Sequence, residues 1–271
     1  MTILVTGGTG LVGSRLLKRF AAAEIDCRAL VRAGKELPAG AVPVEGDLLD
    51  PASLKSAVEG VTAIVHLAAV LRTPEPQDIW TANLDGTRNL IEAAKQYAPS
   101  CRFIMASTGL IYNRDTPYPG REDNVAEPQL AYPASKLAAE NALRESGLNW
   151  SILRLGFVYG EEDGHLEALP KLAGMFKWHP ATRMSLIHHR DIETAVNLAL
   201  DGKMDNHIVN IVDEAPTSIL EVATIVGFTM EPSGEPLDNP WFGHLDGSLA
   251  RTLGFLPKVA TVHQAAREGT L

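Results

Sequence analysis

The amino-acid sequence predicts an α/β fold built on a doubly wound parallel sheet, with a small C-terminal lobe. Short β-rich runs alternate with longer helical patterns through roughly the first two hundred residues, which is typical of βαβ units. A glycine-rich stretch, Thr6-Gly-Gly-Thr-Gly-Leu-Val-Gly13, directly follows the first apolar run. We expect residues 1–155 to form the main domain and residues 156–271 the lobe, with residues 184–211 folding back onto the sheet.

Seven short runs have the composition of strands. They are Thr2–Thr6, Cys27–Arg32, Val42–Glu45, Ala63–His66, Arg102–Ala106, Ser151–Arg154 and Ser185–His188. Between these runs, apolar residues recur at intervals of three and four, as they do on one face of a helix. Examples are Val12, Leu16 and Phe20 in the first helix and Leu84, Ile91 and Ala94 in the third.

Clusters of proline and glycine predict loops at Thr116–Gly120 and Glu231–Gly243. The second loop contains Trp241 and Phe242. These aromatic residues either cover a site or pack against the rest of the protein.

Composition and charge exclude several classes of protein. The 271 residues, 45% hydrophobic and 21% charged, can bury a full core. Because we find no leader and no apolar run of about eighteen residues, we expect a soluble cytoplasmic protein without a membrane partner. The net charge of −9 and the lack of a Lys/Arg block argue against nucleic acid. Cys27 and Cys101 lie in apolar runs and read as core thiols, so neither a disulfide nor a metal site is expected.

The glycines after the first strand have a physical reason at a turn into a helix. Without side chains there, backbone N–H groups and the positive end of the helix can approach a pyrophosphate closely. Gly7 would make the turn, Gly10 would admit the phosphates and Gly13 would let helix and strand pack. The sequence therefore predicts a Rossmann-type dinucleotide site, in preference to an ordinary turn between strand and helix.

The end of the second strand bears on which dinucleotide binds. In an NAD site an acid about twenty residues past the glycines binds the ribose hydroxyls, whereas an arginine there accommodates a 2′-phosphate. Arg32 lies 19 residues past Gly13, and Asp26 comes before the strand. The alternative is that Arg32 is a solvated residue at a strand end. We expect NADP to be preferred, with NAD left open.

Three polar side chains are candidates for the chemistry. Tyr132 and Lys136, four residues apart, share one face of a predicted helix, where a lysine ammonium would favour the tyrosine phenolate. Thr108, or failing it Ser107, follows a strand at the sheet edge that binds ligands. Its hydroxyl could hydrogen-bond a substrate oxygen with which Tyr132 exchanges a proton, or it could merely cap the strand.

Further motifs run through nearly the whole chain in a fixed order. They are Gly46-Asp-Leu48, His66-Leu-Ala-Ala69, Asn83 with Gly86-Thr87 and Asn89-Leu90, Ala106-Ser-Thr108, Tyr132-Pro-Ala-Ser-Lys136, Leu153-Arg154 with Val158-Tyr-Gly160, Arg190-Asp191-Ile192 and Leu253-Gly254-Phe255. With the glycine stretch, they resemble the extended short-chain dehydrogenase/reductases, also called the NAD-dependent epimerase/dehydratase family.

The resemblance implies roles for individual residues. Asp47 and Leu48 would flank the adenine, Asn83 would brace the helix beneath the active site, and Tyr159 would border the nicotinamide. Thr108, Tyr132 and Lys136 would be catalytic. The cofactor-binding set, including the glycine turn and Arg32, is Thr6, Gly7, Gly10, Leu11, Val12, Gly13, Arg32, Asp47, Leu48, Leu67, Ala68, Ala69, Asn83, Tyr132 and Lys136. A homodimer through the helices that carry Asn83 and Tyr132 is implied as well.

Departures from the family pattern narrow the substrate. Family dehydratases have an acidic pair after the catalytic threonine, where this chain has Gly109 and Leu110. The chain is also short for a nucleotide-sugar enzyme, so a small carbonyl, alcohol or sugar fits the remaining substrate-binding lobe better. Candidate substrate contacts are Arg72, Ser107, Tyr112, Asn113 and Tyr159.

Other polar residues in the lobe and nearby loops are explained at least as well by structural roles. His165 and Arg183 could touch substrate or be solvated. His188 and His189 are neighbours on a predicted strand and so point to opposite faces, which argues against a shared metal. One would pack, and the other would hydrogen-bond near Asp191.

The leading hypothesis is an NAD(P)-dependent oxidoreductase that transfers hydride between the nicotinamide and a small carbonyl/alcohol or sugar-like substrate. Epimerisation of a sugar or nucleotide sugar through a keto intermediate would use the same side chains and stays open. A non-catalytic NADP-sensing protein is a third reading, but such proteins often lose the tyrosine or lysine that this chain keeps.

Overall fold

A computed structural model describes residues 2–38, 40–113 and 115–271 of the chain. The strands are β1 (Ile3–Thr6), β2 (Cys27–Val31), β3 (Val42–Glu45), β4 (Ala63–His66), β5 (Arg102–Thr108), β6 (Asn149–Leu155), β7 (Phe157–Tyr159), β8 (Arg183–Met184), β9 (Leu186–His188), β10 (His207–Ile211) and β11 (Thr217–Ser218). The helices are α1 (Leu11–Ala22), α2 (Lys55–Val58), α3 (Pro76–Trp80), α4 (Gly86–Tyr97), α5 (Ala131–Arg144), α6 (His165–Met175), α7 (His189–Leu200), α8 (Ile219–Ile225), α9 (Ser248–Thr252) and α10 (Val262–Glu268). A π-helical segment, Thr81–Asp85, links α3 to α4.

The central sheet confirms the predicted doubly wound α/β architecture. Its seven strands are parallel and lie in the order β10-β6-β5-β4-β1-β2-β3. The strand order reverses between β1 and β4, where Thr6 is paired with His66. Ligands of open α/β sheets bind outside the carboxyl ends of the strands at such a reversal. Two small sheets, β7 with β9 and β8 with β11, lie outside the central sheet.

One strand of the central sheet was missed by the sequence analysis. All seven predicted runs contain strands, but Ser185–His188 does not join the central sheet: its strand β9 pairs with β7 instead. The seventh strand of the sheet is β10, which pairs in parallel with β6 from His207 to Ile211. The edge of the sheet beyond β6 is therefore built by residues downstream of the predicted strand.

Apolar residues of the strands alternate between the two faces of the sheet, as the pleat requires. In β1, Ile3 and Val5 join the core beneath α1 and α7, whereas Leu4 joins the core on the opposite face beneath α2, α4 and α5. A third core, in the C-terminal part of the chain, includes Tyr159 and Leu166. The predicted core thiols Cys27 and Cys101 are buried and free.

Helix α5 presents a polar face to the sheet. Pro133 lies in its first turn, where a missing backbone N–H costs little, and Gly147 has a positive φ of 80° shortly after its end. Ser135, Lys136 and Glu140 are all buried although each is polar. Buried polar groups need partners, so this face is where a site is expected. Within the part of the chain that the structure describes, no helix has the length and apolarity needed to cross a membrane.

The turn from β1 into α1 depends on close backbone packing at Gly13. A Cβ atom added there would contact the carbonyl oxygen of Gly7 and lie 2.9 Å from the Cα atom of Gly8. Both neighbours are backbone atoms, which cannot move away as a side-chain tip could. Gly174 in α6 is a matched helical glycine with no atom within 4 Å of an added Cβ.

We expect Gly13→Ala to lower the free energy of unfolding by about 1–3 kcal/mol, the usual cost of overpacking. Gly174→Ala should instead raise it by up to about 1 kcal/mol, because alanine is the better helix former. Urea denaturation of both variants measures the difference. Equal effects of the two substitutions would contradict the proposed close packing.

Candidate active site

The carboxyl end of β5 and the first turns of α5 bring the three predicted catalytic residues to one cavity. Thr108, Tyr132 and Lys136 line a space of about 160 Å³. Its apolar walls come from the start of α1, the loop after β4 and strands β5, β6 and β7; they include Val12, Leu67, Ala69, Ala106, Leu155 and Val158. The cavity therefore extends from Val12, at the end of the glycine-rich stretch, to Thr108, Tyr132 and Lys136.

Tyr132 is held in its protonated form. Burial raises the pKa of the Tyr132 hydroxyl to about 12, and a polar interaction with Thr108 opposes that rise. Burial outweighs the interaction with Thr108 in the protein alone, and the tuning of Tyr132 by Lys136 stays a prediction. At neutral pH the phenol is consequently a proton donor.

Lys136 lies one helical turn beyond Tyr132 and is 2% exposed. Burial lowers the pKa of its ammonium to about 8, and the carboxylate of Glu140 acts in the opposite direction. Within residues 2–38, 40–113 and 115–271, the Lys136 Nζ atom has no hydrogen bond to protein. The ammonium is thus available to a molecule in the cavity.

The glycine turn has the shape of an anion site. Gly7 has a φ of 75°, and a Cβ there would lie 2.6 Å from the amide nitrogen of Ala68, so the backbones after β1 and β4 approach closely. Gly10 is the N-cap of α1 and offers no capping side chain to the free N–H groups of the first turn. Leu11-Val-Gly-Ser14 contains no acid that would repel an anion. These features fit the pyrophosphate of a dinucleotide.

The other predicted cofactor residues lie at the start of α1 or just after strands β2, β3 and β4. Leu67 and Ala69 line the cavity with Val12. Arg32 is exposed just past β2, and no ion pair or hydrogen bond of its side chain occurs among the described residues. Asp47 and Leu48 form a tight turn after β3, where the Asp47 carboxylate accepts the amide of Leu49 at 2.9 Å. Leu11 is 42% exposed.

Two residues of the predicted cofactor set are instead buried in the protein. Thr6 is 1% exposed; its hydroxyl accepts the amide of Ala68 at 3.3 Å and contacts His66 Nδ1 at 2.7 Å. Asn83 is fully buried. Its amide donates to Val70 O at 2.9 Å and Ser135 Oγ at 3.0 Å and accepts the Val70 amide at 2.7 Å. Asn83 therefore braces α5 against the loop after β4, as the resemblance implies, and does not reach the cavity.

His66 completes a chain of hydrogen bonds under the site. Thr87 donates to the backbone oxygen of Asn83 at 2.6 Å, so it must accept the Nε2 proton of His66 at 2.9 Å. His66 Nδ1 then accepts the hydroxyl proton of Thr6. Burial, helped by the charge of Lys136, lowers the pKa of His66 to about 3. The imidazole is neutral in the folded protein.

The sequence analysis missed a buried ion pair beside the site. Arg154 on β6 donates to Glu140 on α5 at 2.7 Å from Nη2 and 3.2 Å from Nε. The Glu140 carboxylate also accepts the hydroxyl of Ser107. Arg154 was noted in a motif without a role, and the four-residue spacing from Lys136 to Glu140 indicated only that these two residues share a face of α5.

Several predicted substrate contacts are hydrogen-bonded to other residues of the protein or do not line the cavity. Tyr159 was wrongly predicted: it is fully buried in the C-terminal core, and its hydroxyl finds no hydrogen-bond partner within the described ranges. The Tyr112 hydroxyl donates to Asn210 Oδ1 at 2.7 Å and accepts from Arg154 at 2.9 Å. Asn113 accepts the amide of Glu127 at 2.9 Å. Arg72 is exposed, and Ser107 lines the cavity while bonded to Glu140.

The neighbouring histidines His188 and His189 form hydrogen bonds with residues in the C-terminal part of the chain. His188 Nε2 hydrogen-bonds the carbonyl oxygen of Thr270 at 2.8 Å and its Nδ1 accepts the amide of Arg190. His189 Nε2 bonds Asp163 at 2.7 Å, which differs from the expected bond near Asp191. His165 and Arg183 do not line the cavity.

The predicted loop aromatics contact other rings in the C-terminal part of the chain. Phe242 meets Trp178 edge-on at 5.8 Å between ring centroids, and Trp241 is 39% exposed. In the segment that follows, the Leu245 side chain fills the space where a side chain at Gly109, the residue after Thr108, would lie. The amide of Leu245 donates to Ser185 Oγ at 3.0 Å, which ties this segment to the loop before β9.

Comparison with known proteins identifies a family and several relatives to which this chain is similar. Residues 3–211 match the model of the NAD dependent epimerase/dehydratase family. A sterol-4-alpha-carboxylate 3-dehydrogenase (decarboxylating) of Dictyostelium discoideum is 27% identical over 238 residues, covering 78% of this chain and 71% of that protein. A 4-hydroxy-2-methyl-3-oxo-4-farnesyl-3,4-dihydroquinoline-1-oxide ketoreductase of Stigmatella aurantiaca is 27% identical over 93% of this chain and 82% of its own length.

A solved structure shows the same fold. A short-chain dehydrogenase/reductase superfamily protein from Agrobacterium tumefaciens, crystallised with bound NAD, superposes with a TM-score of 0.82. The match covers 99% of this chain and 95% of that protein at 23% sequence identity. At that identity the likeness concerns the fold.

We expect the neutral state of His66 to make the fold acid-sensitive. Between the folded pKa of about 3 and the ordinary value of 6.5, the unfolded chain binds a proton that the folded chain does not. Stability is therefore lost as the pH falls through this window, by up to about 1.4 kcal/mol per pH unit from this one group.

His66→Gln should weaken that dependence. Urea denaturation at pH 7.5 and pH 5 measures it as a smaller drop in unfolding free energy than in the parent protein. His207→Gln, at an exposed histidine that begins β10, is the control and should leave the drop unchanged. The same drop in His66→Gln as in the parent would show that His66 does not carry the effect.

Proposed function

This chain belongs to the NAD-dependent epimerase/dehydratase family, and we propose that it is an NADP-preferring oxidoreductase acting on a small carbonyl or alcohol. It is an NAD(P)-dependent enzyme of the oxidoreductase or epimerase type. One observation carries the proposed reduction or oxidation of a small substrate: a hydroxyl, a phenol and an ammonium, from Thr108, Tyr132 and Lys136, line one small cavity beside the glycine turn.

The protein's own groups suit carbonyl reduction. A bound nicotinamide would supply or accept the hydride. Tyr132, protonated at neutral pH, donates its proton to the substrate oxygen, and Thr108 hydrogen-bonds the same oxygen. The ammonium of Lys136 stabilises the negative charge that develops there and on the phenol. For oxidation of an alcohol the proton moves in the reverse direction.

The size of the cavity supports a small substrate. Its volume is about 160 Å³. No acid follows Thr108, since Gly109 and Leu110 hold those positions. An elimination of water that needs an acidic pair is therefore not part of the proposal. The candidate contact that lines the cavity is Ser107, with Asn113 and Arg72 on the flanking loops.

Epimerisation is the second candidate, because the matched family includes epimerases and the reaction needs the same proton-transferring groups. An epimerase restores its nicotinamide in each cycle and therefore shows no net cofactor consumption. Steady oxidation of NADPH by a carbonyl substrate would favour the reductase.

The proposal extends to the assembly of the protein. The family resemblance supports a homodimer through the segment 81–97 and α5, which carry Asn83 and Tyr132. It also supports a division into a dinucleotide-binding part, residues 1–155, and a substrate-binding part, residues 156–271, with residues 184–211 returning to the sheet.

We expect Tyr132→Phe to lower turnover by at least about 100-fold while cofactor affinity changes little, because only the proton donor is removed. A screen of aldehydes, ketones and sugars with each nicotinamide measures turnover, and fluorescence titration measures affinity. Tyr97→Phe, at the far end of α4, is the control and should leave turnover intact.

Retained turnover in Tyr132→Phe would refute the assigned acid/base. Tight NADPH binding without turnover of any substrate by the parent protein would instead favour the cofactor-sensing alternative.

Arg32→Ala should weaken NADPH binding by about 10- to 100-fold and spare NADH, since a hydrogen bond to a charged group contributes about 1.5–3 kcal/mol. Isothermal titration of both cofactors makes the comparison. Arg28→Ala is the matched control on the same strand, because the Arg28 guanidinium already donates to the backbone oxygen of Glu59 at 3.0 Å. Equal losses for the two cofactors would remove the case for NADP.

A further inference from the structure

The ion pair of Glu140 and Arg154 lies directly beside the three proposed catalytic groups and has no part in the chemistry described so far. Both side chains are almost completely buried, at 1% and 4% exposure. The Glu140 carboxylate accepts three contacts from Arg154, between 2.7 and 3.2 Å, and the hydroxyl of Ser107. Its position is consequently fixed from both β5 and β6.

Arg154 is fixed in its turn. Its Nη1 atom donates to the hydroxyl of Tyr112 at 2.9 Å, and the guanidinium lies 5.2 Å from the centre of the Tyr112 ring. Tyr112 is bonded to the fully buried Asn210 of β10. The pair therefore cannot rotate away from the site without breaking contacts to three strands.

Lys136 is the buried charged residue that lies nearest to Glu140 along α5. It lies one turn before Glu140 on the same side of α5, and both are buried. The other titratable groups around Lys136 are His66 on β4, which is neutral, Tyr132 on α5, which is protonated, and Arg154 on β6, which is a cation. Glu140 is the one anion within the described part of this cluster.

We propose that Glu140 is a positioning residue whose carboxylate, held by Ser107 and Arg154, keeps the buried Lys136 side chain in its charged form. Burial alone favours the neutral amine, because a charge loses its hydration in the protein interior. The Glu140 carboxylate opposes this effect and raises the pKa of Lys136. The inference rests on the proposed function, in which the ammonium of Lys136 takes part in the reaction.

A purely structural ion pair would have a different signature. It would hold α5 against β6, so its removal would destabilise the fold but leave the titration of Lys136 where it was. If the Glu140 carboxylate is instead the counter-charge of Lys136, its removal changes the pH at which Lys136 titrates. The proposal is therefore tested on Lys136 itself, in the free protein, without cofactor or substrate.

The experiment is an NMR titration of protein labelled with ¹³C at the lysine ε carbons, with Lys136→Arg identifying the Lys136 signal. We expect Glu140→Gln to move the titration midpoint of Lys136 down by about one pH unit or more, the usual effect of losing an adjacent opposite charge. Glu140→Asp keeps the charge and should give a midpoint close to that of the parent.

Two further variants make the result decisive. Asp205→Asn removes the carboxylate of another arginine pair, Arg102 with Asp205 at 3.1 Å, at the opposite end of β5 and should leave the Lys136 midpoint unchanged. Glu140→Gln leaves Arg154 buried without its partner, which can prevent folding. The double variant Glu140→Gln/Arg154→Met removes both charges, and it too should lower the midpoint, because Glu140 lies one helical turn from Lys136 whereas Arg154 lies on the neighbouring strand β6.

An unchanged midpoint in a folded protein that lacks the Glu140 carboxylate would overturn the proposal. That outcome is separate from failure of the proposed function, which is tested by the turnover of Tyr132→Phe. A moved midpoint without any turnover would leave the charge arrangement established and remove only the reaction.

Discussion

The architecture of the site depends on how closely the backbones after β1 and β4 approach each other. With a φ of 75° and no side chain, Gly7 lets the chain turn against the amide of Ala68. This contact sets Thr6 beside His66, and the hydrogen bonds of His66 continue through Thr87 to the backbone of Asn83. The side chain of Asn83 then holds the start of α5. The absence of a side chain at Gly7 thus permits the contacts that connect the anion-binding turn to the helix that carries Tyr132 and Lys136.

The two sides of Lys136 are built from different kinds of interaction. Towards β4 lies the neutral hydrogen-bonded chain of His66, which can be buried at little electrostatic cost once every donor has an acceptor. Towards β6 lies the Glu140–Arg154 pair, whose desolvation must be offset by good geometry and additional hydrogen bonds. Lys136 therefore lies between a neutral hydrogen-bonded chain and a paired carboxylate, and its place on α5 brings it to the cavity.

Local patterns in the sequence predicted six of the seven strands of the sheet and the glycine turn. The meeting of Thr108 with Tyr132 and Lys136 was predicted from the order of the motifs and the family resemblance together, because the four-residue spacing alone occurs on many helices. Features that depend on distant pairing were not visible. β10 was missed since its partner is β6, more than fifty residues earlier in the chain. Tyr159 was misplaced because alternation along β7 directs Val158 to the cavity and Tyr159 to the C-terminal core. Glu140 and Arg154 lie on separate elements, and only the folded chain shows that they pair.

The segment that carries Leu245 has an evolutionary consequence. It is joined to Gly120 by backbone hydrogen bonds and ends beside Gly109, although it lies more than one hundred residues downstream of both. The proton-transferring groups are encoded before residue 137, whereas the side chain that packs against Gly109, next to Thr108, is encoded after residue 240. Substitutions in the late segment therefore change the packing behind Thr108 while the reactive side chains are inherited unchanged.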